Sequence, residues 1–129
     1  MEPQTDYDRS KPRIRVVMFP KDTNAMGSIF GGVILSHIDL AAAQEARDVS
    51  PQIFVTKIFR EVNFVAPVGV GDTLSCYAKV TRRGKTSVTI KVLAEAQRAL
   101  SRKFVTVTEA EVVMVAVNEN GEPVEIQHQ

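Results

Sequence analysis

The stretch that decides the fold is "DTNAMGSIFGGVILSHID", residues 22–39, which runs from a polar segment through two adjacent glycines into an apolar helical pattern. The pattern predicts a helix over about 29–48, rich in Ala, Ile and Leu, and Pro51 limits its extension. It is the only long helical pattern in the chain. Glycines destabilise a helix interior, and the carboxylate of Asp39 is costly to bury on an apolar helix. The segment therefore carries two features that a purely structural helix would avoid.

Strand patterns fill most of the remaining chain. Residues 13–19, "RIRVVMF", are rich in β-branched side chains and end at Pro20. One strand, one long helix and then about four strands joined mostly by hairpins predict an α+β domain, in which an antiparallel sheet wraps a helix roughly 30 Å long. The four later strands are expected over 53–65, 73–82, 85–97 and 104–118.

Length and composition fit a single soluble domain. The chain has 129 residues, with 16 basic and 15 acidic side chains. Its net charge of +1 does not suggest a nucleic-acid binder, but it is compatible with a local basic patch. The domain is expected to span 13–124, between a flexible lead-in over 1–12 and a C-terminal tail over 125–129.

The chain also gives expectations about its compartment. Its N-terminus lacks the apolar run of a signal peptide, and no stretch approaches the roughly 18 apolar residues of a membrane span. The single cysteine, Cys76, has no partner for an intramolecular disulfide or a CxxC metal site, and is expected to be a small core residue rather than a reactive thiol. We expect a cytoplasmic protein.

The start of the helix offers candidate functional groups. Gly32 and Asp39 are seven residues apart, so they lie within about 20° of one helix face. Asp39 either faces the interior, lines a cavity or is simply exposed. Gly31 and Gly32 would sit in the first turn, where free backbone N–H groups can stabilise an oxyanion. The alternative is that the two glycines only permit close packing or an entry bend.

Three further side chains near this segment have competing interpretations. Asn24 and Asp22 either stabilise a turn, or Asn24 positions a water or a carbonyl group. His37 is expected to be packed or at an interface rather than catalytic. With His128 as the only other histidine, placed in the tail, and without a G-x-S-x-G motif, a Ser–His–Asp triad has almost no candidates.

A basic hairpin forms a second candidate site. In "RRGKTS", residues 82–87, three cationic side chains and two hydroxyls surround a glycine, so the turn could bind phosphate groups. The alternative is a solvated turn whose charges protect a sheet edge. The residues concerned are Arg82, Arg83, Gly84, Lys85, Thr86 and Ser87.

Taken together and in order, four motifs resemble the hot dog-fold acyl-CoA thioesterases of the YciA/BACH type. They are "FPKDTNAMGSIFGGVILSHID" (19–39), "VNFVAPVGVGDTL" (62–74), "VTRRGKTSVTI" (80–90) and "TEAEVVMVAV" (108–117), within a resemblance that covers roughly 14–123. It implies a five-stranded antiparallel sheet around the central helix, and homodimers that share their active sites and commonly assemble into hexamers.

The resemblance also implies roles for individual residues. Asn24 and Asp39 match the catalytic pair, with Asp39 supplied by the facing protomer, and Gly32 matches the oxyanion donor with Gly31 as its neighbour. The hairpin from Arg82 to Ser87 matches the coenzyme A-binding turn. Ser28 and Val33 depart from common residues of the family, which leaves the acyl-chain preference open.

The implied activity is hydrolysis of acyl-CoA to coenzyme A and a carboxylic acid, with no metal and no cofactor beyond the substrate's own coenzyme A. Two alternatives stay open. One is a hot dog hydratase or dehydratase, for which His37 is the only candidate acid–base histidine, on a different face from Asp39. The other is a sensor that binds acyl-CoA without consuming it.

Overall fold

The computed structural model describes residues 7–127 and contains one sheet and one long helix. All four strand pairings are antiparallel, and the strand order in the sheet is β1-β3-β4-β5-β2. The predicted α+β fold, five strands around a central helix, is confirmed. Its elements are β1 Ile14–Val17, α1 Gly31–Val49, β2 Ile53–Phe64, β3 Thr73–Arg83, β4 Ser87–Gln97 and β5 Phe104–Val117, with a short 3-10 turn at Pro20–Asp22.

The helix begins two residues later than the sequence pattern predicts. Because α1 starts at Gly31, both glycines occupy its first turn and neither weakens the helix interior. The face that packs on the sheet is small and aliphatic, which lets helix and sheet approach closely. Its buried residues are Ile34, Ile38, Ala41, Ala42, Ala46 and Val49.

The inward face of the sheet is formed by alternate residues of its strands. In β4, Val88, Ile90 and Val92 are fully buried in the same hydrophobic cluster as the helix residues. Cys76 of β3 joins this cluster, and burial raises the pKa of its thiol to about 12. The interpretation of Cys76 as a core residue is confirmed.

Part of each terminal segment packs on the domain. Tyr7, which falls in the lead-in expected to be flexible, is buried against Tyr77 and Leu93 on the outer face of the sheet and donates a 2.6 Å hydrogen bond to Glu109. In the expected C-terminal tail, Ile126 is buried in the main core, and its N–H donates to the Lys85 carbonyl at 2.8 Å. Residues 1–6 and His128 lie outside the described residues.

The predicted hairpin around Gly84 is present between β3 and β4. The N–H of Gly84 donates to the Ser87 carbonyl at 2.8 Å. A Cβ at position 84 would lie 2.8 Å from Ser87 Oγ, so the turn closes tightly around a residue without a side chain. No helix within residues 7–127 is both long and apolar enough to cross a membrane.

Candidate active site

Asn24 organises the turn that leads into the helix. Its side-chain Oδ1 accepts hydrogen bonds from the N–H groups of Met26 at 2.8 Å and Ser28 at 3.2 Å, so the turn-stabilising interpretation is correct for the oxygen. No group among residues 7–127 accepts a hydrogen bond from the Nδ2 amide, and the side chain is exposed. Asn24 therefore holds the turn with its oxygen and presents its two N–H donors outward.

Asp22 has a structural role beside it. Its Oδ2 accepts a 3.0 Å hydrogen bond from the Phe19 N–H, and its Oδ1 accepts one of 3.0 Å from Lys21 Nζ. The Phe19 bond, followed by the Lys21 bond, holds the pKa of this carboxyl below its usual value. The Asp22 carbonyl accepts from the Phe30 N–H at 2.8 Å, which fixes the entry to the helix.

The first turn of α1 has free backbone donors. Phe30, which precedes the helix, makes no side-chain hydrogen bond to it, and no described residue accepts a hydrogen bond from the N–H of Gly31 or Gly32. These donors also lie at the positive end of the helix dipole. The helix start can therefore donate to a negatively polarised oxygen.

Asn24 and Gly31 line the same cleft, of about 390 Å³, between the helix start and residues 64–68. The rest of its lining is largely apolar, with Ile29 and Ile34 on one side and Phe64 on the other. Gly32 does not line this cleft; a Cβ there would lie 2.6 Å from the Phe30 ring. The structure thus brings together Asn24 and Gly31, with Gly32 one residue further along.

Asp39 lies elsewhere on α1 and has a partner that sequence reasoning missed. Thr56 of β2 donates a 2.5 Å hydrogen bond from Oγ1 to Asp39 Oδ1, and its Oγ1 lies 3.4 Å from Met114 Sδ. Asp39 is half-buried, so it is neither in the core nor fully exposed. It also does not line the cleft beside Asn24. The sequence contains one signal for this contact. Thr56 follows Phe54, which faces the core, by two residues, so its hydroxyl lies on the same, otherwise apolar, face of β2.

A second cavity, of about 560 Å³, lies at the hairpin. Arg82, Gly84, Thr86 and Ser87 line it, whereas Arg83 and Lys85 do not. Strand β2 adds Lys57 and Arg60, two cations that sequence reasoning did not include, and Arg60 also pairs with Glu111. The outward-facing valines 113, 115 and 117 of β5 supply an apolar surface, and Thr56 reaches the same cavity. We refer to it as the hairpin groove.

A sequence profile of the thioesterase superfamily matches residues 26–100, which is more than half of the chain. A Buchnera aphidicola protein named as an uncharacterized acyl-CoA thioester hydrolase is 41% identical over 118 residues, covering 89% of this chain and 87% of the relative. The chain belongs to the thioesterase superfamily. The acyl-CoA thioester hydrolase YciA of Escherichia coli is 35% identical to this thioesterase over 113 residues, covering 85% of this chain and 86% of YciA.

Solved structures agree with the fold of this thioesterase. A hexameric hot dog fold thioesterase of Campylobacter jejuni superposes with a TM-score of 0.86 and 43% sequence identity, covering 91% of this chain and 90% of that one. The architecture derived from the strand order is therefore the hot dog fold.

Within one protomer, the predicted site residues of this thioesterase fall into three places. Asn24 and Gly31 share the cleft, and Asp39 lies beside Thr56. Of the six hairpin residues, four border the groove: Arg82, Gly84, Thr86 and Ser87. His37 lines neither cavity; its Nδ1 is enclosed and has no hydrogen-bond partner among residues 7–127. Those residues also contain no group of three or more His, Cys, Asp or Glu side chains arranged around a common metal position.

Proposed function

We propose that this thioesterase hydrolyses acyl-CoA thioesters to coenzyme A and a carboxylic acid. The observation that carries the proposal is the cleft that Asn24, with its free amide, and Gly31, with its unpaired N–H at the start of α1, line together, with an apolar lining for an acyl chain. The names of the Buchnera and Escherichia coli relatives support the same substrate class.

The donors at the helix start would stabilise the developing oxyanion. Gly32 is the proposed donor, with Gly31 beside it, and a donor of this kind typically lowers the barrier by about 3 kcal/mol. Asn24 would orient the thioester carbonyl or the attacking water through its Nδ2 hydrogens. A thiol has a pKa near 8.5, so coenzyme A leaves as a thiolate with little help from a general acid.

Asp39 would activate the attack in one of two ways. As a general base it takes a proton from water while the water oxygen bonds to the thioester carbon, and the C–S bond then breaks. As a nucleophile it bonds to that carbon itself, expels the thiolate and forms an anhydride that water cleaves. In both routes Thr56 holds one carboxylate oxygen through the 2.5 Å bond to Oδ1.

The complete site would combine two protomers. Asp39 does not line the cleft of its own Asn24, and seven helical residues separate it from Gly32 by about 10 Å along the axis. Strand β2 is at the edge of the sheet, and Ile53, Val55 and Ile58 are exposed along it, so a second copy could pair there. We infer a homodimer with two shared sites, assembled as three dimers in a hexamer.

The hairpin groove would bind the nucleotide end of coenzyme A. Arg82 borders the groove together with Lys57 and Arg60, and Thr86 and Ser87 add hydroxyl donors. Arginine and lysine side chains suit phosphate groups, and the valine surface of β5 suits an adenine ring. Arg83, Gly84 and Lys85 of the same turn complete the proposed binding hairpin.

The test is release of free thiol from acyl-CoA by the wild-type protein and by Asp39→Asn. We expect the variant to lose at least about 100-fold in kcat, the lower range for a general base, while it still binds coenzyme A. Hydrolysis by Asp39→Asn at the wild-type rate would refute this mechanism. Mass spectrometry of the acyl-CoA after incubation separates hydrolysis from binding without turnover and from hydration of an enoyl-CoA.

Site sharing has its own test, in which Asn24→Ala and Asp39→Asn are mixed, dissociated and reassembled. In a mixed dimer with shared sites, one site carries both substitutions and the other carries neither. Random mixing should therefore restore about a quarter of the wild-type activity. Sites built within single protomers would restore none.

A further inference from the structure

The cleft at the start of α1 has one wall that lies outside the strands. Residues 65–72 connect β2 to β3, and Ala66, Pro67 and Val68 of this connection line the cleft. We call these three residues the cleft wall. Because they belong to no strand, the pairing of the sheet does not set their position, and other contacts have to hold them.

Arg98 and Asp72 hold the cleft wall in place. Arg98 Nη1 donates a 2.9 Å hydrogen bond to the Pro67 carbonyl and one of 2.7 Å to Asp72 Oδ2. The Gly69 N–H, just after the wall, donates to the same carboxylate oxygen at 2.9 Å. Hydrogen bonds to ionised groups are roughly twice as strong as neutral ones, so these contacts fix the wall strongly. Neither Arg98 nor Asp72 lines the cleft, so they would act on a substrate through the wall.

One hydrogen bond connects the cleft wall to the turn that carries Asn24. Residues 24–28 form this turn, and among the described residues their hydrogen bonds all stay within it. The Asn24 N–H itself donates to the Ser28 carbonyl at 2.7 Å. Directly after the turn, the Ile29 N–H donates to the Val68 carbonyl at 2.9 Å. A displaced wall would therefore move this end of the turn, and Asn24 with it.

We propose that Arg98 is a positioning residue for thioester hydrolysis, which fixes the Asn24 amide through the cleft wall. The inference rests on the proposed function, in which Asn24 Nδ2 orients the carbonyl or the attacking water. A reacting group displaced by about 1 Å can cost roughly 100-fold in rate, even when the substituted residue is remote. The nucleotide end of the substrate is proposed to bind in the hairpin groove, which Arg98 does not line. Loss of the Arg98 guanidinium should therefore lower kcat and leave KM nearly unchanged.

The first measurement is steady-state hydrolysis of acyl-CoA by Arg98→Met, which keeps an unbranched apolar side chain and removes every donor. We expect kcat to fall by about 10-fold and KM to stay within about twofold of the wild-type value. Asp72→Asn is the second, milder variant for the case in which Arg98→Met does not fold. It should lower kcat by about threefold, because an asparagine oxygen can still accept from Arg98 and Gly69.

Arg13→Met is the matched control. Arg13 also pairs with two carboxylates, Glu45 and Asp48, but it lines neither the cleft nor the hairpin groove. Arg13→Met should lower the thermal midpoint, as Arg98→Met does, yet keep the wild-type kcat and KM. The comparison separates loss of stability from loss of position.

A double-mutant cycle tests whether Arg98 acts through Asn24. If it does, Arg98→Met should change kcat by less than about twofold in an Asn24→Ala background, because the amide to be positioned is already absent. A role elsewhere in the site would repeat the loss of about 10-fold.

Thermal midpoints and size-exclusion chromatography check the folding and assembly of each variant. Wild-type kcat for Arg98→Met and Asp72→Asn, a kcat loss that Arg13→Met shares, or an undiminished loss in the Asn24→Ala background overturns this inference alone. Asn24→Ala at the wild-type rate overturns the proposed role of Asn24 and this inference with it. A wild type that releases no thiol from acyl-CoA overturns the proposed hydrolysis as a whole.

Discussion

Thr56 Oγ1 donates a 2.5 Å hydrogen bond to Asp39 Oδ1 and so joins an edge strand to the middle of the central helix. The bond occupies one carboxylate oxygen and leaves Oδ2 without a partner among the described residues. A carboxylate held in this way loses less rotamer freedom when it acts on a substrate. Thr56 is thus a positioning residue for the proposed catalytic group.

Thr56→Val keeps the shape of the side chain and removes the donor. We expect kcat to fall by about 10- to 100-fold, which is what one hydrogen bond to a charged group contributes, with little change in KM. Steady-state kinetics with a short acyl-CoA measures both constants. Thr56→Ser keeps the hydroxyl and should recover most of the lost kcat; if it does not, the threonine acts through packing.

The two glycines should tolerate alanine structurally but not functionally. A Cβ at Gly31 would contact Phe64 at 3.4 Å, and one at Gly32 would approach the ring of exposed Phe30 at 2.6 Å, which can swing aside. Both variants should fold with a thermal midpoint close to that of the wild type. Their kcat should fall by about 10-fold or more, because a methyl group crowds the oxyanion position.

The comparison of Gly31→Ala with Gly32→Ala also identifies the donor. A larger loss for Gly32→Ala supports the donor inferred from the family resemblance. A larger loss for Gly31→Ala supports the residue that lines the cleft with Asn24. Activity of both variants at the wild-type level would contradict an oxyanion site at the helix start.

Arg82→Ala should weaken binding of the nucleotide end of the substrate. Because Arg82 borders the hairpin groove and not the cleft, KM for acyl-CoA should rise about 10-fold with kcat nearly unchanged. An acyl-pantetheine thioester lacks the nucleotide, so its kcat/KM should be the same for the variant and the wild type. Lys103→Ala, at an exposed position before β5, is the control. Equal losses with both substrates would place Arg82 outside nucleotide binding.

Local sequence patterns were sufficient to predict the elements of this fold. Alternation in β4 puts Val88, Ile90 and Val92 on one face, which identifies the strand. Pro51 limits the C-terminal end of the helix. Both signals come from residues close together in the sequence. The late start of α1 at Gly31 was not predicted, because it depends on the extended backbone of Phe30 (φ −61°, ψ 132°), whose N–H donates to the Asp22 carbonyl. That contact depends on the shape of the preceding turn.

The residues that sequence reasoning missed depend on contacts between distant segments. Thr56 lies 17 positions after Asp39, and only the docking of β2 beside α1 brings the two together. Lys57 and Arg60 of β2 reach the hairpin groove because β2 and β4 both pair with β5 and lie on its two sides in the sheet. Tyr7 donates a hydrogen bond to Glu109, which lies 102 positions further along the chain. No local pattern contains these pairings.

Cys76 should not react with thiol reagents in the native protein. Its side chain is fully buried, and burial raises the pKa of the thiol to about 12, so it stays protonated at pH 8. Titration with Ellman's reagent should detect no fast thiol in the native state and one per chain in denaturant. Released coenzyme A can then be followed with this reagent without background from the protein. Rapid reaction of the native protein would contradict the buried position.

Asp72 is a buried carboxylate just before β3. Its Oδ2 accepts hydrogen bonds from Arg98 Nη1 at 2.7 Å and from the Gly69 N–H at 2.9 Å, and its Oδ1 accepts one from the Ala99 N–H at 3.1 Å. Burial raises the pKa of this carboxyl, but the Gly69, Arg98 and Ala99 hydrogen bonds outweigh burial and hold the pKa below its usual value.

Asp72→Asn should therefore lower the free energy of unfolding at pH 7 by about 2 kcal/mol, as expected when hydrogen bonds to a charged group are lost at a pair whose Arg98 side chain is 30% exposed. Because the folded pKa is below the unfolded value near 4, the stabilisation is complete above about pH 4 and is lost as the pH falls through the folded pKa. Urea titrations from neutral pH down to about pH 3 should show the difference between wild type and variant shrinking. Asp48→Asn, which breaks an exposed pair with Arg13, should cost less than about 1 kcal/mol throughout. A difference for Asp72→Asn that stays constant down to the lowest pH would mean that packing, and not the charge of Asp72, stabilises this corner of the fold.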